Sequence, residues 1–215
     1  MNRVDVIGGT NINYNDYLSL VDEDSCILYH RGQLHRIVDY LRQYDIIYSG
    51  SFNPPHNDHL LIGKNALFEI SLENVRKGKL NRDDVIHRLK MLDLLDIPVL
   101  ITMAPRFLEK DAILQWYWKK PYTYRMGVDT WNTMVGARDL LQNGAEFDNM
   151  TSKFEIVPRK GHETIINDVT RHIKFSQIKL TTADISSNII RGGNPEGLPA
   201  KIAAYIKENK LYESQ

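Results

Sequence analysis

The segment that decides the fold follows a short apolar run and reads Gly50-Ser51-Phe52-Asn53-Pro54-Pro55-His56-Asn57-Asp58-His59-Leu60. The run before it, residues 45–49, suits a buried parallel strand, because strands that are covered on both faces are continuously apolar. The prolines predict a turn, and residues 59–69 have the apolar spacing of a helix. The segment therefore predicts a strand, a turn and a helix, with two histidines on one face of the first helical turn.

The same alternation of strand and helix continues along the chain. Apolar runs predict strands at residues 68–72, 99–103, 154–157 and 178–180, of which 99–103 is β-branched, and residues 124–127 lead into Asp129. Helical spacing predicts helices at residues 82–92, 130–141, 186–191 and 201–209. Strands separated by helices predict an α/β fold, a doubly wound Rossmann-like parallel sheet with helices on both faces. In such sheets ligands bind beyond the carboxyl ends of the strands, so functional residues are expected directly after strands.

The N-terminal part of the chain has a weaker pattern. We interpret residues 1–43 as an extension or a connector, and residues 44–215 as a single main domain. A strand at residues 25–30 and a helix at residues 34–43 are predicted within the extension. A connector to another domain and an addition to the edge of the sheet both remain open.

Charge and composition limit the classes of partner. Lys+Arg and Asp+Glu both number 27, giving a formal net charge of +0, which removes the usual support for general binding of nucleic acid or a membrane surface. A single cysteine, Cys26, excludes an intrachain disulfide and fits a reducing compartment, where it is expected to be a buried apolar residue. We therefore predict a cytoplasmic protein, with the nucleus not excluded, that binds neither nucleic acid nor membrane. A homo-oligomer stays open.

A second motif lies near the C-terminus and reads Ile185-Ser186-Ser187-Asn188-Ile189-Ile190-Arg191. The two serines alone are most simply explained as a helix N-cap. Arg191 changes that interpretation, because it lies one helical turn beyond Ser187 on the same face. A helix start with an arginine beside it can hold a phosphate.

Together the two motifs resemble the signatures of the HxGH-type nucleotidyltransferase superfamily, whose members transfer a nucleotide from a nucleoside triphosphate. The likeness extends from about Ile46 to Tyr212. It is greatest to the nicotinamide and nicotinate mononucleotide adenylyltransferases, because residues 124–130 are similar to their Gly-x-Asp segment and residues 204–212 to their C-terminal end. The stretches 68–75 and 102–110 are similar to a related branch, the adenylyltransferase-like domain found beside a CinA-type amidase-like domain.

The resemblance implies catalytic roles for His56, His59 and Arg191. Both histidines would contact the triphosphate of ATP, and His59 would stabilise the transition state. Ser186, Ser187 and Arg191 would hold the leaving pyrophosphate. The acceptor phosphate would attack the α-phosphorus directly, and Mg²⁺ bound with ATP would screen the leaving group.

Further binding residues follow from the same resemblance. Gly50, Ser51 and Phe52 would shape the floor shared by ATP and the acceptor phosphate. Gly127 and Asp129 would face the adenosine. No dedicated metal-ligand set is predicted in the protein itself.

Two charged residues, Lys110 and Asp58, belong to or lie near the segments described above. Lys110 follows a predicted strand end and is therefore a candidate nucleotide-binding residue. Asp58 stands where the superfamily usually has glycine, and we expect its carboxylate to point to solvent from the first helical turn, where a negative charge is tolerated.

The leading hypothesis is adenylyl transfer from ATP to nicotinamide or nicotinate mononucleotide. One alternative keeps the fold and changes the acceptor, for example to phosphopantetheine, or to an alcohol phosphate of the phosphocholine kind with CTP. Another is a nucleotide-binding or regulatory module that has lost turnover, which is supported by Asp58 and by the unusual N-terminus. An aminoacyl-tRNA synthetase is disfavoured, because the chain is short and has no Lys-Met-Ser-Lys-Ser segment.

Overall fold

The computed structural model describes residues 14–74, 78–117, 121–136, 144–180 and 182–213. The strands in these ranges are β1 (Cys26–His30), β2 (Gln33–His35), β3 (Ile46–Ser49), β4 (Leu67–Ser71), β5 (Glu73–Asn74), β6 (Gly78–Lys79), β7 (Val99–Thr102), β8 (Thr123–Gly127), β9 (Lys153–Val157) and β10 (Phe175–Gln177). The helices are α1 (Tyr14–Ser19), α2 (Ile37–Leu41), α3 (Asn57–Ile62), α4 (Arg82–Leu94), α5 (Phe107–Tyr117), α6 (Val128–Val135), α7 (Ser187–Arg191) and α8 (Ala200–Glu208). Two 3-10 helices span Gly144–Asn149 and Val169–His172.

Eight of these strands form one sheet with the order β10-β9-β8-β3-β4-β7-β1-β2. β3 lies inside the sheet and pairs in parallel with β4 on one side and β8 on the other. From β3 the chain moves outward through β4 and β7, then returns to β8 on the opposite side. Strand order therefore reverses beside β3, and the predicted doubly wound, Rossmann-like α/β fold is confirmed.

Neighbouring residues of β3 show how both faces of the sheet are covered. Ile47 and Tyr48 point to opposite faces, since side chains alternate along a strand, and both are buried. Ile47 belongs to a core with Trp131 of α6, while Tyr48 belongs to a second core with Leu89 of α4. Burying such a side chain contributes about 1.5–3 kcal/mol, so both layers of helices stabilise the sheet.

The region before β3 contributes two strands, β1 and β2, to the same sheet. β1 pairs antiparallel with β7, with Leu28 opposite Leu100, and β2 continues beyond β1. Residues 14–43 thus add to the edge of the sheet, which is one of the two alternatives left open by the sequence. Residues 1–13 lie outside the described ranges. The predicted buried environment of Cys26 is confirmed.

Several predicted element boundaries were wrong. The helix predicted at 59–69 ends at Ile62, and a Cβ on the next residue, Gly63, would lie 2.2 Å from the ring of Phe68. Leu34 belongs to β2, so the helix predicted at 34–43 is limited to α2. β10 precedes the predicted strand at 178–180. α5 was not predicted. The helix predicted at 130–141 begins at Val128 and ends at Val135, and residues 137–141 of that prediction lie outside the described ranges. No helix in the described part of the chain has the length and apolarity needed to cross a bilayer.

Candidate functional site

A cavity of about 780 Å³ lies where the carboxyl ends of β3 and β8 meet. This is the point at which strand order reverses, and where doubly wound sheets usually bind ligands. All but one of the predicted site residues line it: Gly50, Ser51, His56, His59, Lys110, Gly127, Asp129, Ser186, Ser187 and Arg191. The volume is in the range of small-molecule sites.

Phe52 is the exception, because it is fully buried and does not line the cavity. Its ring contacts Tyr48, Phe68 and His59 at centroid distances of 5.3, 4.8 and 5.2 Å. A Cβ on Gly50 would lie 2.7 Å from the Phe52 ring, so this position requires glycine. The Gly50 amide donates to the Glu69 carbonyl at 3.1 Å, which fastens the turn to β4.

The two histidines at the start of α3 form a stacked pair. The ring centroids of His56 and His59 lie 3.6 Å apart, with 25° between the ring planes. Both Nδ1 atoms are buried and have no hydrogen-bond partner among the described residues.

Burial controls the charge of this pair. It lowers the pKa of His56 to about 4, although the carboxylate of Asp58 acts in the opposite direction, and Arg159 lowers it further. Burial, with the neighbouring His56, holds the pKa of His59 well below its usual value. Both rings are therefore neutral at pH 7 in the free protein, and a bound polyanion would favour their protonation.

Asp58 does not point to solvent, so that expectation from the sequence was wrong. Its side chain is 5% exposed. Oδ1 accepts from the backbone N–H of Ala183 at 2.9 Å, and Oδ2 accepts from that of Ile185 at 2.8 Å. The carboxylate is buried because two backbone donors satisfy it, which a sequence pattern does not reveal.

The second motif meets the first across the cavity. Ser186 is the N-cap of α7, where its Oγ accepts from the Ile189 amide at 3.3 Å, and the Ser187 hydroxyl donates to the Pro54 carbonyl at 3.0 Å. The Arg191 guanidinium donates to the Asn53 carbonyl and to the Asn188 side chain. The N-cap interpretation of Ser186 is confirmed, and Arg191 is held beside the turn that carries the histidines.

Lys110 forms a buried ion pair at the cavity wall. Its Nζ donates to Glu69 Oε2 at 2.7 Å, while Glu69 Oε1 accepts from the Thr102 hydroxyl at 2.7 Å. Both partners are nearly inaccessible to solvent. The ammonium group therefore forms its ion pair with Glu69, and the Glu69 carboxylate neutralises the positive charge at this wall of the cavity.

Gly127 and Asp129 lie at the end of β8 and the start of α6. Asp129 accepts from Arg159 at 2.7 Å and lies 2.9 Å from His162 Nδ1. Arg159 also donates to the Asp184 carbonyl at 3.1 Å. A Cβ on Gly127 would meet no atom within 4 Å, so the backbone there is open to the cavity.

Arg88 is a cavity residue that the sequence interpretation missed. It lies on α4, is 5% exposed, and its Nε and Nη1 atoms have no hydrogen-bond partner among the described residues. Burial lowers the pKa of its guanidinium. The available signal was its position within the apolar stripe of the predicted helix, between Val85 and Leu92. An arginine on a buried helix face requires a partner, and an anionic ligand would supply one.

By fold and site, the chain is a Rossmann-like α/β protein with histidines and arginines around a cavity at the switch point of its sheet. No family model matches the chain. It is similar to the "Probable nicotinate-nucleotide adenylyltransferase" of Bacillus pumilus (strain SAFR-032), with 25% identity over 194 residues, and the match covers 78% of this chain and 97% of the relative. This similarity supports a relationship to the nucleotidyltransferases.

Proposed function

We propose that the protein transfers the adenylyl group of ATP to a pyridine mononucleotide, nicotinate or nicotinamide mononucleotide, and releases pyrophosphate. The observation that carries the proposal is the stacked pair of His56 and His59, which lines the same cavity as Arg88 and Arg191. The name of the Bacillus pumilus relative supports a pyridine acceptor. The CinA-associated branch remains part of this proposal, on the likeness of residues 68–75 and 102–110.

In this reaction an oxygen of the acceptor phosphate forms a bond to the α-phosphorus of ATP. The bond from the α-phosphorus to the bridging oxygen breaks, and pyrophosphate leaves with the electron pair. Negative charge increases on the leaving group, so the protein must mainly position the two phosphates and stabilise that charge. We assign this task to His56 and His59 at the start of α3, together with Arg191, which donates to the Asn53 carbonyl beside them.

The cavity can accept magnesium that arrives with ATP. Within the described ranges, no group of three His, Cys, Asp or Glu residues is arranged to hold a metal ion. Mg²⁺ commonly keeps several waters and is bound by one or two carboxylates together with substrate phosphates. Asp84, an exposed carboxylate at the start of α4 that lines the cavity, fits that requirement. The ion would supply charge screening for the leaving pyrophosphate.

The proposal is tested by incubating the protein with Mg²⁺ and ATP plus each mononucleotide in turn, and by following dinucleotide and pyrophosphate. We expect both products in equal amounts. If pyrophosphate forms only when another phosphate compound is added, that compound, and not a pyridine mononucleotide, is the acceptor. ATP binding that raises Tm without any turnover would indicate a nucleotide-binding module instead.

A pair of histidine variants separates chemistry from folding. His59→Ala is expected to lower kcat by about 10²–10³-fold, the usual cost of removing a group that stabilises transition-state charge, with a smaller change in ATP affinity. His172→Ala is the matched control, because His172 pairs with Asp148 beside a different cavity. Equal losses of kcat and ATP affinity in His59→Ala would argue against the transition-state role.

A further inference from the structure

A buried carboxylate joins the start of α3 to the segment that precedes α7. Asp58 follows His56 by two residues, and each of its oxygens accepts one backbone N–H, from Ala183 and from Ile185. Hydrogen bonds to an ionised carboxylate are shorter and stronger than neutral ones. Two of them from different residues fix both the position and the orientation of the segment.

The receiving segment is shaped to bind an anion. Asp184, between the two donors, has φ +59, which is the left-handed region that a residue with a side chain seldom adopts. With this turn the N–H groups of Ala183 and Ile185 both point to the Asp58 carboxylate, and such concave arrangements of backbone N–H groups favour negative charge. The carboxylate of Asp58 occupies that site, and its two hydrogen bonds offset the cost of the unusual φ angle.

The segment held by Asp58 leads directly into the second motif. Ile185 is followed at once by Ser186, the N-cap of α7, and then by Ser187, whose hydroxyl reaches back to Pro54 in the first motif. A displacement of residues 183–185 would therefore move both serines and the start of α7 relative to the histidines. The carboxylate therefore links the two motifs that line the cavity.

We propose that Asp58 is a positioning residue that holds the segment from Ser186 to Arg191 against the histidine pair, so that the phosphate site is assembled before a ligand binds. The identity of the ligand rests on the proposed function, but the assembly of the site does not. The role is specific to the carboxylate, because it needs two acceptor atoms and no donor.

The test compares Asp58→Asn with Asp83→Asn. The first variant keeps the shape of the side chain but turns one acceptor into a donor that faces a backbone N–H. The second makes the same change at an exposed carboxylate in the first turn of α4. We expect hydrogen exchange at the Ala183 and Ile185 amides to rise at least about tenfold in Asp58→Asn alone, without a general rise across the sheet.

Binding and turnover complete the test. Asp58→Asn is expected to lower kcat about 10²-fold, as a displacement of about 1 Å in a reacting group can do, while Asp83→Asn keeps the wild-type rate. Asp58→Gly removes the side chain and leaves the two amides open to water, so it should show the same local increase in exchange. It keeps the proposal testable if Asp58→Asn does not fold.

Three results would overturn the positioning role. One is wild-type protection of both amides in the Asp58 variants. Another is faster exchange throughout the sheet together with a lower Tm, which would make Asp58 a residue of general stability. The third is unchanged kcat and KM in Asp58→Asn. If the wild-type protein forms no dinucleotide, the proposed function fails, but local exchange at the Ala183 and Ile185 amides still decides the role of Asp58.

Discussion

Replacing Arg88 by Met should stabilise the free protein and weaken the binding of phosphate ligands. Arg88 is buried with two nitrogen atoms unpartnered among the described residues. A buried polar group without a hydrogen bond costs about 1–3 kcal/mol. Methionine has a similar length and needs no hydrogen-bond partner, so the variant avoids this cost and the free protein becomes more stable. A bound anion no longer has the guanidinium to pair with, so its affinity falls.

The magnitudes follow from these two nitrogen atoms. Allowing for some lost packing, we expect the free energy of unfolding to rise by about 2 kcal/mol. A change of 1 kcal/mol shifts Tm by about 2–4 °C in a domain of this size, so Tm should rise by about 4–8 °C. A hydrogen bond to a charged group contributes about 1.5–3 kcal/mol, and its loss should weaken pyrophosphate binding by about 10- to 150-fold.

The assay measures Tm by circular dichroism and pyrophosphate affinity by calorimetry. Arg125→Met is the matched control, because Arg125 is fully engaged: Nε and Nη2 donate to Glu155 at 3.0 and 2.8 Å, and Nη1 donates to the Ile62 and Lys64 carbonyls. That variant leaves Glu155 without its partner and should lower Tm. A fall of Tm in Arg88→Met, or unchanged pyrophosphate affinity, would refute the reasoning.

Three further predictions concern the same cavity. The pKa of His56 is lowered to about 4 in the folded protein, so the unfolded chain binds more protons between about pH 6.5 and pH 4, and stability falls as pH decreases through that window. His56→Ala should flatten the plot of unfolding free energy against pH there, and an unchanged slope would contradict this. Gly50→Ala should lower stability by about 1–3 kcal/mol in urea unfolding, because its Cβ meets a ring, whereas Gly127→Ala has open space and should keep the wild-type midpoint. Lys110→Met leaves a buried carboxylate unpaired and should cost about 3–5 kcal/mol, and adding Glu69→Gln should restore much of the loss in the same unfolding assay.

Local pattern was enough to predict the centre of the fold. The apolar run that stops at Gly50 predicted β3 and the turn after it. The helical spacing that follows predicted a helix start beside the two histidines, where α3 begins. The cavity also follows, because parallel strands place the residues after them at one edge of the sheet. Nearly all the residues singled out from the two motifs do meet there.

The errors came from contacts that lie far apart along the chain. Asp58 is buried because Ala183 and Ile185 approach it in the fold, and nothing in its neighbourhood along the sequence indicates those donors. Lys110 lines the cavity as a residue after a strand should, but its pairing with Glu69 on another strand has no signal in the local sequence. Short elements such as β2 were hard to predict because they have too few residues to show a period.

The two outer strands of the sheet have a consequence for behaviour at high concentration. β2 and β10, the strands at its two edges, each contain three residues. An edge strand exposes backbone groups that can pair with a strand of another molecule, and a longer edge offers a better template for aggregation. These short edge strands leave little backbone for such pairing, so we expect the purified protein to resist association of sheet edges at high concentration.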